Sequence, residues 1–468
     1  MKARICIIGL CGATSGSLER LKSGGLLPPI LARIGWGSTR LSIPSSEAAA
    51  WISLITGLPP GQHGIFDLYR REPQAGHRLR TVNSRDLICE TVWSRLDRHG
   101  LRSTLLDYPL TLPPPRIAGH AFPGSWTTAR QLRFGCHPSD LPKRLAESGA
   151  GQLDEFLMDW PRPAAGTGEI AAWIGRQTLR EGKLLQLLRF FLANEPSHFN
   201  VVLLRAFGKV ASHHANHPEL LEPARGYFDA IGRQISELAE SHPEMNFLFL
   251  SEPPPPGFDL NGWLQDQGEF AWTDQPGAAE RKVLDANQLN AQAKLVDWSR
   301  TRAWHPLAGS GDIHILRRDA DHPAGVADSE YLAYRADLAE RLARAPGVRR
   351  VWTREEAYAG PCQDEAPDLI VETGEPSGIC LASGPALTKE PSPVSWLEIA
   401  PLIYCVLGSP LPAAAAIPER LLDPAWLAAH PPRTETAEAA GRPADSPRLD
   451  PQTESEVLER LRSLGYVE

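Results

Sequence analysis

The stretch LFLSEPPPPGFDLNGWLQDQG, from Leu248 to Gly268, holds the pattern on which the fold turns. The apolar run Phe247-Leu248-Phe249-Leu250 has no polar alternation, so it reads as a strand covered on both faces. A loop follows, then an amphipathic helix. In an α/β protein the carboxyl end of such a strand is where binding and catalytic groups are set out. Here that place holds Ser251, Glu252 and four prolines, which bring almost no ionisable chemistry.

The same pattern recurs on either side. Apolar, β-branched runs predict strands at Arg4–Leu10, Ser103–Asp107, Asn200–Leu204, Asn246–Leu250, Asp312–Leu316, Asp368–Glu372 and Ile379–Ala382. Helix-period segments lie between several of them, such as Arg180–Ala193 and Tyr227–Glu240. Strands alternating with helices argue for an α/β protein with a mostly parallel sheet sandwiched between helices. Residues 110–195 are expected to form a smaller cap or insert. Residues 431–451, rich in Pro, Ala and Glu, read as a flexible linker. Residues 452–468 read as a short terminal helix that docks back on the body.

Bulk composition narrows the function classes. The chain has 468 residues, a formal net charge of −8 and 42% hydrophobic residues. There is no basic footprint for nucleic acid, and no apolar run approaches the roughly 18 residues that span a membrane. The opening MKARICIIGL lacks a signal peptide's long apolar core and reads as a first strand. Seven scattered cysteines without a CxxC pair favour reduced thiols in a cytoplasm. Abundant Ala, Arg, Pro and Leu with little Lys points to a GC-rich bacterial genome.

Several stretches, taken together, resemble the alkaline phosphatase superfamily, in particular its bacterial type I phosphodiesterase/nucleotide pyrophosphatase-like branch. Residues 7–14, IIGLCGAT, resemble that branch's GLDGA opening. Residues 48–71, AAAWISLITGLPPGQHGIFDLYRR, resemble its AWTSLLTG-PG-HGIFDF segment almost throughout. FDLNGWLQDQG resembles the helix after its SDHG loop, and REEAYAGPCQDEAPDLIV and LERLRSLGYVE resemble its C-terminal stretches.

The resemblance implies phosphate-ester hydrolysis by two metal ions and a Thr or Ser nucleophile. It also implies about six carboxylate and imidazole ligands to hold those ions. Carried over one at a time, the first ligand aspartate falls on Cys11 and the nucleophile, ten residues before Gly57, on Glu47. The Asp-x-x-x-His pair falls on Gly208 and Ser212, the Asp-His of SDHG on Glu252 and Pro253, and the last histidine on Gly374. None of the seven keeps an imidazole, and only Glu252 keeps a ligand carboxylate. The four prolines then make sense, because a loop that holds no metal has no need of its Asp-His-Gly.

The remaining chemistry has plain alternatives. Cys11 precedes a possible helix start, where a thiol can become nucleophilic, yet a small buried thiol filling an aspartate's place is the simpler account. Glu47 can be a general base, or a nucleophile if Glu252 lies near; an acidic residue at a helix start is also favoured by the macrodipole alone. His213 and His217 stand four apart, without an acidic residue in their run, and read as a solvated face. His63 belongs to a structural turn. No phosphate-cradling GxxxxGK[ST] or strand-following GxGxxG is present.

These features predict a degenerate superfamily member without two-metal hydrolysis, with no metal or cofactor, that binds a small-molecule ligand or a protein partner. The alternative is metal-independent chemistry in the same pocket by Glu47, Glu252 and Cys11. A third reading is a metal-dependent phosphodiesterase whose ligands stand elsewhere. With the cations gone, Glu47 and Glu252 would repel a phosphate, which favours a neutral or cationic ligand.

Overall fold

A computed structural model describes residues 3–34, 36–40, 46–71, 79–124, 132, 134–149, 151–157, 165–252, 258–274, 293–306, 310–374, 377–389 and 393–435. Its strands are β1 (Ile5–Leu10), β2 (Trp36–Arg40), β3 (Tyr69–Arg71), β4 (Leu79–Thr81), β5 (Ser103–Tyr108), β6 (Gly119–Pro123) and β7 (Phe199–Leu204). They continue with β8 (Asn246–Leu250), β9 (Ala303–Trp304), β10 (Asp312–Ile315), β11 (Val348–Thr353), β12 (Leu369–Thr373), β13 (Ile379–Ser383) and β14 (Val394–Ser395). Each strand expected from an apolar run is present, with ends within a residue of the reading.

Eight strands form the main sheet in the order β14-β2-β13-β8-β1-β7-β5-β6. The run from β8 to β6 is parallel, and β13 is antiparallel to both β8 and β2. β1 sits at its centre and is buried along its whole length. Because successive side chains point to opposite faces, β1 feeds two cores. Ile5 and Ile7 join Trp51 and Leu54, whereas Cys6, Ile8 and Leu10 join Leu184, Leu188 and Tyr227.

The helices that frame the site are α1 (Ser15–Ser23), α2 (Glu47–Thr56), α3 (Thr167–Asn194), α4 (Phe207–Asn216) and α5 (Leu221–Ser241). α2 packs on the first of those cores, and α3 to α5 pack on the second. Gly9 lets this happen: a Cβ there would lie 2.4 Å from Leu203 Cδ2 and 2.8 Å from the Trp51 ring. Trp51 fills that space, stacked edge-on to Tyr108 and Trp396.

A smaller antiparallel sheet, β11-β12-β10-β9, carries its own apolar cluster with α6 (Leu260–Asp266) and α7 (Tyr331–Ala343). Of the residues 110–195 expected to form a cap, β6 edges the main sheet and α3 lines its core. The segment read as a linker from 431 starts on the body. Thr434 bridges to Leu411, and Glu435 bonds Arg95. Residues 436–468, with the expected terminal helix, lie outside the described residues. All seven cysteines are free, and no helix among the described residues is long and apolar enough to cross a membrane.

Candidate functional site

Parallel strands all end at one edge of a sheet, so their carboxyl ends gather side chains from distant parts of the chain. Here Cys11 follows β1, Arg205 follows β7, Glu252 comes two residues after β8, and Asp107 lies at the end of β5. The Cys11 N–H donates to the Leu204 carbonyl at 3.1 Å, which ties two of these ends together. Glu47 arrives from the other side as the first residue of α2, whose N-cap Ser46 accepts the Ala49 N–H. A carboxylate there also complements the helix dipole.

Cys11 Sγ, a Glu47 carboxylate oxygen and a Glu252 carboxylate oxygen lie within 4.8 Å of one another. Cys11 and Glu252 are buried and Glu47 is half-exposed. The Gly12 N–H donates to Glu252 Oε1 at 2.9 Å. Glu252 Oε2 makes no hydrogen bond of ordinary geometry among the described residues, and the Trp51 indole is the side-chain donor that acts on this carboxyl.

A buried guanidinium completes the cluster. Arg205 donates through Nη1 to Glu47 Oε1 and through Nη2 to the Asp107 carbonyl at 3.2 Å, and its Nε lies 3.5 Å from Asp107 Oδ2. The same Asp107 oxygen accepts Arg180 Nη2 at 2.7 Å, while Arg180 Nε donates to the Phe156 carbonyl. Beneath them Glu181 accepts the Ala206 N–H at 2.7 Å and the Tyr227 hydroxyl. Asp107 holds a φ of 58°, a left-handed backbone that costs a non-glycine residue about 1–3 kcal/mol and persists where neighbours enforce it.

Burial sets the protonation states. It pushes the Glu252 carboxyl up to about 7, against the opposing pull of its own backbone N–H, the Arg205 charge, the Gly12 N–H and the Trp51 indole. It also pushes Glu181 up to about 7. The Cys11 thiol rises well above its ordinary value, first through burial and then through the Glu252 charge. Without a cation this thiol is protonated, and a protonated thiol is a poor nucleophile.

The structure gathers some of the expected residues and not others. Cys11, Glu47 and Glu252 meet. Gly208 lies at the floor, but a Cβ there would be 2.3 Å from the Gly12 carbonyl carbon, so position 208 admits no ligand side chain. Ser212 is exposed on α4, and Gly374 is exposed after β12. Pro253 lies outside the described residues. His63 is buried, its Nδ1 accepting the Ile65 N–H and its Nε2 lying 2.9 Å from Ser53 Oγ, as a structural turn requires. His213 packs edge-on to Trp173 and is not one of the three gathered donors.

Arg205, Asp107, Arg180 and Glu181 were not expected from the sequence. One signal was available: Arg205 and Lys209 have the four-residue spacing of the resembled Asp-x-x-x-His pair, and Arg205 follows its strand directly. From this stretch the Arg205 side chain reaches the cluster, pairing with Glu47. A binuclear centre does not fit this set. It needs about six donors, whereas three gather among the described residues, with a fixed positive charge beside them.

A mostly parallel sheet between helices, with its site at the strand ends, defines an alkaline-phosphatase-like α/β protein. The model of the type I phosphodiesterase / nucleotide pyrophosphatase family matches residues 6–390, and the chain belongs to that family. Among solved structures it resembles phosphonoacetate hydrolase from Sinorhizobium meliloti 1021 in complex with phosphonoformate, with a TM-score of 0.52 and 15% identity. That match covers 86% of this chain and 95% of the other. The same hydrolase with phosphonoacetate gives a TM-score of 0.51 at 15% identity over the same shares. Murine ectonucleotide pyrophosphatase / phosphodiesterase 5 matches at 12% identity and a TM-score of 0.47, over 90% of this chain and 100% of that one. At these identities the phosphonoacetate hydrolase likeness shows the fold alone. No curated protein sequence matches the chain.

Proposed function

We propose that this family member does not carry out two-metal hydrolysis and that its strand-end site serves to bind a ligand or partner. The observation that carries this reading is the buried Arg205 guanidinium paired with Glu47 and Asp107. A fixed cation among carboxylates neutralises them and works against a pair of dications there. It also offsets the repulsion that Glu47 and Glu252 alone would exert on an anion. Metal-independent chemistry is the second reading, favoured by the buried Glu252 carboxyl, pushed up to about 7, beside Cys11 and Glu47.

The test is turnover of bis(p-nitrophenyl) phosphate and p-nitrophenyl phosphate with added zinc, manganese or a chelator. The binding reading expects no turnover above background under any condition. Chelator-sensitive turnover would sink it and restore a phosphoesterase. Turnover indifferent to chelator, and lowered about a hundredfold or more in Glu252→Gln, would establish the metal-independent enzyme.

A further inference from the structure

We infer that Lys209 is a covalent binding site for small aldehydes or ketones, which its Nζ takes up as an imine. The inference rests on the binding reading above and names the ligand class of that site. Lys209 is the third residue of α4, whose first turn lies against the end of β1. The Gly208 N–H donates to the Cys11 carbonyl at 3.0 Å, and a Cβ at Gly208 would come within 2.3 Å of the Gly12 carbonyl carbon. So close an approach fixes the backbone from which Lys209 projects. Gly208 and Val210 are buried, whereas Lys209 between them is exposed, so solutes reach it.

Its surroundings suit a nucleophile. Protein packed around the amine, and next the Arg205 charge, lower the Lys209 ammonium to about 8, against the raising pull of Cys11 and Glu252. A side chain that water reaches and protein nonetheless crowds stands in a recess, here the one beside Arg205, Cys11 and Glu252 at the strand ends. His213, one turn further along α4, feels the Lys209 charge in turn. A lysine beside a second cation gives up its proton more readily, which is one way an amine is activated toward a carbonyl carbon. Arginine keeps its proton and cannot act in this way. The two cations of this stretch thus have different tasks. Arg205 pairs with Glu47 and Asp107, and Lys209 meets the ligand.

The step balances without oxidant or reductant. The Nζ lone pair attacks the carbonyl carbon and a C–N bond forms. The carbonyl oxygen then leaves as water with the two amine hydrogens, and the C–N bond becomes double. Only the neutral amine reacts. A value of about 8 leaves about a tenth of Lys209 neutral at pH 7, against about one part in 2,500 for an ordinary lysine near 10.4. A less basic amine is a weaker nucleophile, which returns part of that advantage.

The experiment incubates the full chain, with a chelator present, with propanal and cyanoborohydride at pH 7. Cyanoborohydride reduces the imine and fixes the adduct, and peptide mass spectrometry follows each of the eight lysines. Lys209 should be modified about tenfold or more faster than any of the other seven, and the preference should vanish in urea. Competitive acetylation across a pH series needs no variant and should find Lys209 titrating near about 8. Equal labelling of all eight lysines, or a Lys209 that titrates at the ordinary value near about 10.4, overturns the inference and leaves the binding reading standing. Chelator-sensitive turnover of bis(p-nitrophenyl) phosphate by the same preparation overturns the binding reading instead.

Discussion

Arg205 owes its position to Asp107, and Asp107 to Arg180. Arg180 and Asp107 are 4% and 1% exposed at their side chains and 2.7 Å apart. Removing one partner of such a buried pair leaves the other charge without compensation, which costs more than the intact pair contributes. Arg180→Met, close in volume but uncharged, should therefore lower stability by about 3–5 kcal/mol in urea unfolding. A loss under about 1 kcal/mol would mean that Arg205 alone neutralises Asp107. Pairwise partnerships of this kind are hard to read from sequence. Asp107 and Arg180 are 73 residues apart, and Arg180 stands in a helix-period run where a solvated face is the ordinary reading of a charge.

At the scale of elements, the informative junction joins the GIFDLYRR stretch to the smaller sheet. Asp67, just before β3, and Asp312, at the start of β10, are both buried. Asp67 Oδ1 accepts the Leu68 N–H at 2.7 Å, Tyr69 donates its hydroxyl to Asp312 Oδ2 at 3.3 Å, and His305 Nδ1 lies 2.8 Å from the Asp312 carbonyl. Burial pushes Asp67 up to about 6. Burial, and next the Asp67 charge, push Asp312 well above the carboxylate range. The folded state thus holds these protons more tightly than the unfolded chain, whose aspartates titrate near about 3.9. Their stabilising effect is full below that value and is lost as pH rises through the folded values, from about 4 to 6 and beyond. Asp312→Asn keeps the shape and removes one titration. Its melting temperature relative to wild type should rise between pH 5 and about 7.5; a constant difference across that range would show that the pair does not share a proton-dependent cost.

Across the whole molecule, legibility followed burial of contiguous apolar runs. β1, β7 and β8 are covered on both faces and declared themselves by composition. β2, WGSTR, and β6, GHAFP, are short, contain Gly, and carry polar residues or a closing Pro; their strand state comes from neighbours in the sheet, which no local window contains. The site divided the same way. Cys11, Glu47 and Glu252, placed by matched stretches with fixed spacing, come together in the structure, whereas the Asp-x-x-x-His positions, Gly208 and Ser212, lay in a stretch without such an anchor and bring no side chain to the cluster. The boundary of the body is a further case. Composition drew it at 431, but Glu435 is held by Arg95 at 2.6 Å and by His99 at 3.0 Å, with its side chain 6% exposed. A carboxylate buried against two partners belongs to the body, and the Pro, Ala and Glu-rich run proper begins after it. Limited trypsin digestion of the native chain should therefore cut first at Arg448, since Arg442 precedes a proline, and leave 1–448 intact. If the final stretch docks as its apolar spacing predicts, the released peptide should elute with the body on gel filtration. First cleavage at Arg433 would instead show that the Glu435 contacts are too weak to hold the segment, and would move the boundary back to where composition drew it.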